Sequence, residues 1–242
     1  MKKLDTVPLV EYPPKVEKLN FLTHIAAAAA SVPGAVIMLR RAAESGDRIR
    51  TVSAVLFSGA ATAVYSISSL YHGLRPGRAK AVARRLDHMT VPLLIGGTAA
   101  PCALVTLRAV SPARGRFVFF NSQAIVLAGA LSKLLFFNNE RLKAAVYALY
   151  IGGCAAMLSQ SIPVRKQVTR PGVKLLWAGC ISYLTGAAFF KFGTKHPSMH
   201  VVFHVFCALG TALHGAAIYK YILDRNGGLS DSDDDRLRSI QQ

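Results

Sequence analysis

The sequence predicts an all-α, polytopic membrane protein built as a seven-transmembrane-helix bundle, and three observations carry that prediction. Of 242 residues, 52% are hydrophobic and only 17% are charged. The apolar residues come in blocks of roughly 17–25, the length that crosses about 30 Å of hydrocarbon as a helix. The connectors between blocks are short and basic, too short to hold a soluble domain, and no internal repeat is visible.

Residues 1–19 form a short polar segment with Lys2, Lys3, Lys15 and Lys18 among Pro8, Pro13 and Pro14. It has no apolar region followed by a small-residue cleavage site, so no signal peptide is expected and the first apolar block serves as the insertion signal. That block covers 20–39 and includes the alanine run 26–30. The second covers 51–74, rich in small residues at 58–61, and the third covers 88–107 with Gly96 and Gly97 at its middle. Small residues of this kind let helix backbones approach closely. The fourth, 117–137, is divided from the fifth, 144–163, only by 138–143. The sixth covers 175–193 and the seventh 198–222. Gly46, Pro76 with Gly77, Pro112 with Gly115 and Pro171 with Gly172 punctuate the connectors as turn residues do. A helical domain over 20–222 is therefore expected, followed by a polar tail, 223–242. The tail holds five of the twelve acidic residues, Asp224, Asp231, Asp233, Asp234 and Asp235, and is expected to be disordered.

The net charge of +17 does not point to nucleic acid, because the basic residues are spread over every connector instead of clustering beside stacking aromatics. Anionic lipid headgroups are the expected partner of that charge. The same spread leaves orientation open: with seven spans, 14 of the 29 basic residues fall on one side and 15 on the other. The densest connector, between Arg75 and Arg85, argues weakly for its side being cytoplasmic. Plasma membrane and endomembrane are not distinguished. Cys102, Cys154, Cys180 and Cys207 all fall inside the apolar blocks without a CxxC pair, as small buried thiols do.

Ionisable residues are costly in a bilayer and mark function by default, which singles out His72, Asp87, His200 and His204. In a seven-pass chain the second block ends, and the third and seventh begin, on one side of the membrane. His72, Asp87 and His200 then share an end. His200 and His204 lie four apart on one helical stripe, and Ser68 stands in the same relation to His72. Three neutral imidazoles at one point suit a zinc ion and leave a fourth position open. Asp87 could serve as a general base and Ser68 as a hydrogen-bond donor to a developing oxyanion. An HxxxH pair can equally be two hydrogen-bonded core histidines, Asp87 can cap the third helix, and Ser68 can bond back to its own backbone. His214 lies on the stripe of His200 but about 21 Å along it, so it reads as a polar interior contact. His24, with Asn20 one turn earlier, begins on the site end and can be a supporting donor or simple packing. His88 and His196 read as non-ligands.

The pieces NFLTH (20–24), SSLYH (68–72), RLDHMTVPLLIGGTAAP (85–101) and MHVVFHVFCALGTALHGAAIYKYI (199–222) resemble the hemolysin III and progestin/adiponectin receptor superfamily. The last piece looks most like its monocyte-to-macrophage differentiation factor branch and bacterial hemolysin III relatives. The resemblance implies seven helices, a cytoplasmic N-terminus, and zinc near the cytoplasmic face on His72, His200 and His204, with Asp87 and Ser68 beside it. It also implies relatives that act as lipid- or hormone-responsive receptors, some with ceramidase-like amide hydrolysis. The large N-terminal domain of the adiponectin receptors has no counterpart here, which argues against hormone reception through such a domain. The expected function is that of a receptor-like membrane protein that responds to or acts on a lipid. The alternative is a zinc-dependent hydrolase of lipid amides. A pore ranks last, since no block shows a continuous polar face.

Overall fold

The computed structural model describes residues 7–159, 164, 165, 167–193 and 195–224, without the side chains of 154, 157 and 158. Among these residues every regular element is helical. Seven long helices follow one another: α1 (Pro14–Glu44), α2 (Arg48–Gly73), α3 (Arg78–Pro101), α4 (Pro112–Leu135), α5 (Glu140–Ser159), α6 (Arg170–Phe192) and α7 (Ser198–Ala217). α3 continues without a break through a π-helical stretch, Cys102–Leu107, and a last turn, Arg108–Val110. α7 likewise ends in a π-helical turn, Ile218–Ile222.

The expected seven apolar spans become six: α1, α2, α3 with its extension, α4, α6 and α7 with its extension are long and apolar enough to cross a membrane. The exception is α5, whose first turn carries Glu140, Arg141 and Lys143. The end of the predicted fifth block, 160–163, lies outside the described residues, as do the side chain of Cys154 and the acidic run 231–235.

Helix starts differ from the hydropathy reading, which marks only where the apolar residues begin. Pro14 occupies the first turn of α1, where its missing N–H costs nothing and its φ is already helical, so α1 begins six residues before Asn20. Asp47 caps α2 by accepting from the Ile49 N–H at 2.8 Å. α3 begins at Arg78, ten residues before the predicted 88. Asp87 is therefore in the third turn of α3 and does not cap it. Ser111 caps α4, and the Asn139 side chain accepts from Leu142 N–H at 3.0 Å at the start of α5.

α3 is the axis of the bundle: 72% of its apolar window is buried, against 50% or less for every other spanning helix. α1 packs along α2, α2 along α3, α3 along α4 and α6 along α7, and α7 returns to α1. Gly97 permits the α2–α3 approach, since a Cβ there would stand 2.7 Å from Ala60 Cβ and 2.9 Å from the Leu56 carbonyl oxygen. The π stretch follows Pro101, which removes one N–H from the helical ladder, and the Thr106 hydroxyl bonds back to the Cys102 carbonyl. Large apolar side chains such as Val32, Ile37, Phe117, Phe120 and Leu127 face outward, while Asn20, His24, Ser53, Ser68 and Lys80 are buried. That inversion is what lipid requires: tails solvate the apolar exterior, and polar groups find partners only inside.

Candidate metal centre

Four helix ends meet at one end of the bundle: the starts of α1, α3 and α7 and the finish of α2. α2 delivers His72 from its last turn, and α7 delivers His200 and His204 from its first two. All three imidazoles are buried, and they offer donor atoms that all lie within 4.8 Å of one another. Their ring centroids are 4.5 Å apart for His200 and His204, 5.0 Å for His72 and His204, and 5.3 Å for His72 and His200. Three nitrogens around one tetrahedral zinc stand about 3.3 Å apart, so small side-chain rotations close the set.

The hydrogen bonds around the cluster orient the rings. His72 Nδ1 lies 3.0 Å from Glu17 Oε2; a carboxylate only accepts, so Nδ1 carries a proton, and in the neutral imidazole the lone pair is then on Nε2. Nε2 is buried with no hydrogen-bond partner. An unpaired buried imidazole nitrogen facing two other histidines fits a metal-binding role, and the carboxylate behind it matches the way ligating histidines are held. The other oxygen of Glu17 takes a hydrogen bond from Lys80 Nζ, which also donates to the carbonyls of Tyr71 and Leu74 at 3.0 Å each. Lys80 is 4% exposed, and this set of acceptors is what makes its burial tolerable. His204 Nδ1 meets the Thr23 hydroxyl at 3.3 Å, leaving Nε2 for the cluster.

Asp87 is outside the converging donor set. Its carboxylate takes a hydrogen bond from Ser68, and His72 and Arg84 are among the groups that act on it electrostatically. Ser68, 2% exposed and one turn before His72, thus links Asp87 to the histidine-bearing face of α2. His24 is buried and stacks on His204, with centroids 3.6 Å apart, and both its ring nitrogens lack partners. Tyr12, in the segment before α1, lies over the mouth, 5.2 Å from the ring of His200 and 5.9 Å from that of His72. Burial pushes its phenol up to about 12, partly offset by Arg84, so it stays a neutral hydroxyl. His88 packs against Phe137 and Phe190, and His196 is in the connector before α7. His214 bonds the Leu176 carbonyl at 2.9 Å at the other end of the bundle.

Glu17, Lys80, Thr23 and Tyr12 were not expected from the sequence. Glu17 had a usable signal: it precedes Asn20 by one helical turn, and Pro14 shows that the helix already exists there. Lys80 had none, since a lysine in the connector between two hydropathy blocks looks like any connector charge.

A family model described as Haemolysin-III related matches residues 14–215. The chain is 29% identical over 209 residues to Hemolysin-3 of Bacillus cereus, covering 86% of this chain and 93% of that protein. Identity is 27% over 198 residues to the Hemolysin-3 homolog of Bacillus subtilis (strain 168), covering 82% and 90%. It is 23% over 208 residues to the Monocyte to macrophage differentiation factor of Homo sapiens, covering 84% and 83%. The matched stretch begins at the first residue of α1 and takes in Glu17, Ser68, His72, Lys80, Asp87, His200 and His204. With six apolar spanning helices and a match over most of its length, the chain belongs to the haemolysin-III related family of multi-pass membrane proteins.

Proposed function

We propose that this protein is a seven-span, receptor-like membrane protein that holds zinc on His72, His200 and His204 near the cytoplasmic face, and that responds to or acts on a lipid. The observation that carries the metal assignment is His72 Nε2, buried without a partner, while Nδ1 is tied to Glu17. Zinc bound there would supply a Lewis acid among buried imidazoles. The chain's own residues set the geometry: Glu17 fixes the tautomer of His72, Lys80 neutralises Glu17, and Thr23 turns His204.

Parity supports the seventh span. His24 of α1 stacks on His204 of α7 near the start of both helices, so both helices enter from one side. An even number of crossings must separate those starts, and α1, α2, α3, α4 and α6 make five. α5 supplies the sixth, its charged first turn lying at the headgroup level, and α7 is the seventh crossing. The lipid side of the proposal rests on the resemblance to lipid-responsive receptors and is supported by the site's place among helices apolar enough to span a membrane.

A second reading, hydrolysis of a lipid amide, is favoured by one observation: Asp87 and Ser68 form a hydrogen-bonded pair beside the histidines without belonging to the donor set. Asp87 would move a proton and Ser68 would position it.

Metal analysis of the purified chain tests the main reading. About one zinc per chain is expected, lost in His72→Ala and His204→Ala; one zinc retained in both variants would sink it. Accessibility labelling of terminal tags tests the topology, with the N-terminus in the cytosol and the C-terminus opposite. Both termini on one side would remove the seventh span.

A further inference from the structure

The end of the bundle opposite the histidines carries a feature the proposed site does not use. Arg165, from the connector after α5, converges with Arg170 and Lys174 of α6 over a concavity of about 450 Å³, lined further by Val173, Trp177 and Ile181. All three cations are exposed. Among the described residues none of the three has an ion-pair or hydrogen-bond partner, and none of those lining the groove is acidic.

The groove has a direction. Arg170, Lys174, Trp177 and Ile181 recur at helical spacing along one stripe of α6, a rise of about 16 Å from first to last at 1.5 Å per residue. Its start is cationic and its far part is apolar, with Ile181 55% exposed on a helix that is apolar enough to span the bilayer. Tryptophan is the residue favoured at the boundary between headgroups and tails, and Trp177 sits between the cationic and the apolar parts of this stripe. A cluster of three positive charges above an apolar stripe has the shape and polarity of one phospholipid.

We propose that this groove binds a single anionic phospholipid, its phosphate held by Arg165, Arg170 and Lys174 and one acyl chain lying along Trp177 and Ile181. Binding is selective because the cations attract negative headgroups and none of the described residues lining the groove is a competing carboxylate. A zwitterionic lipid gains far less from the same three charges.

Trp177 is the chain's one tryptophan, so its fluorescence reports on this groove directly. The full chain is reconstituted in phosphatidylcholine vesicles containing a small fraction of bromine-labelled phosphatidylglycerol or, separately, the same fraction of bromine-labelled phosphatidylcholine. The labelled anionic lipid is expected to quench Trp177 more than its mole fraction accounts for, and the labelled zwitterionic lipid is not. Each basic residue near a membrane surface shifts lipid preference several-fold, so Arg170→Gln with Lys174→Gln should cut the excess by about tenfold or more. The charge-keeping pair Arg170→Lys with Lys174→Arg should preserve most of it, which separates lost binding from lost folding. Equal quenching by the two lipids in the wild-type chain overturns the proposal, and so does an excess unchanged by the glutamine pair. Excess quenching abolished by millimolar inorganic phosphate would make the ligand a free phosphate instead of a lipid. Excess quenching that appears only after Asp231, Asp233, Asp234 and Asp235 are changed to asparagine would make the chain's own acidic tail the occupant.

Discussion

The two ends of the bundle use positive charge in opposite ways. At the histidine end Lys80 is turned inward and given a carboxylate and two carbonyls, and Arg85, also buried, donates to the Leu134 carbonyl at 2.8 Å. At the other end Arg165, Arg170 and Lys174 stay outside, while Arg41 and Arg50 tie the finish of α7 to α1 and α2 through Asp224 and the Leu223 carbonyl. A buried cation must spend its donors on the protein, because unpaired charge in that environment costs several kcal/mol. It then positions neighbours and is no longer available to a ligand. An exposed cation keeps its donors for lipid. The histidine end is accordingly preorganised and sensitive to single substitutions, whereas the far end should tolerate them one at a time.

The largest effect that could break this contrast is expected at Asp87. If the histidine end hydrolyses lipid amides, Asp87→Asn should slow amide release by roughly 10²–10⁴-fold, the loss typical of a general base, while the zinc content stays at the wild-type value. The assay uses a panel of ceramides and N-acyl lipids in liposomes, with the double variant His200→Ala, His204→Ala as the blank. Wild-type release no greater than the blank removes the hydrolase reading and leaves the receptor. Release unchanged in Asp87→Asn removes Asp87 from the chemistry but not the metal from the histidines.

Glu17 comes next. Glu17→Gln removes the negative charge behind His72 and leaves Lys80 buried with carbonyls and a neutral amide. Loss of a carboxylate behind a ligating histidine typically weakens metal affinity 10–100-fold, and chelator competition measures it. Thr23→Val at His204, where the contact is neutral and 3.3 Å long, should cost less. Equal losses in the two variants would mean that the carboxylate does not hold His72 in the way the geometry indicates.

Much of this end was legible before any coordinates. The HxxxH spacing identified His200 and His204 as neighbours, and the parity of the spans brought His72 to them. Glu17 and Lys80 were missed for one shared reason. Hydropathy marks where a helix enters hydrocarbon, whereas the helix itself starts at its cap, and that lies six residues earlier in α1 and ten residues earlier in α3. The same offset made Asp87 look like a cap. The π stretch after Pro101 was not anticipated either, because a proline in an apolar run says that the ladder changes without saying how.

A smaller effect is expected at the α2–α3 contact, which carries the geometry of both ends. Gly97→Ala places a methyl group 2.7 Å from Ala60 Cβ and 2.9 Å from the Leu56 carbonyl oxygen. Both neighbours belong to α2 and neither can swing away, so the helices must separate by some tenths of an ångström. Overpacking of this kind costs about 1–3 kcal/mol, read as a lower thermal midpoint in detergent. Gly34, whose Cβ would meet nothing within 4 Å, is the control, and Gly34→Ala should leave the midpoint unchanged or raise it. A similar loss at both positions would indicate a backbone effect and remove the packing explanation.

The smallest effect sharpens the contrast from the far end. Asp47 caps α2 there, accepting the Ile49 N–H at 2.8 Å, some 25 residues along the helix from His72. Asp47→Ala leaves one N–H of the first turn without its acceptor and should cost about 1 kcal/mol. Because water and headgroups reach that end, fraying is confined to the first turn, and the last turn that carries His72 keeps its place. The thermal midpoint should therefore fall slightly while zinc content and chelator affinity stay at wild-type values. A coincident fall in metal affinity would show that α2 transmits disorder along its whole length, and the two ends could then no longer be treated as independent.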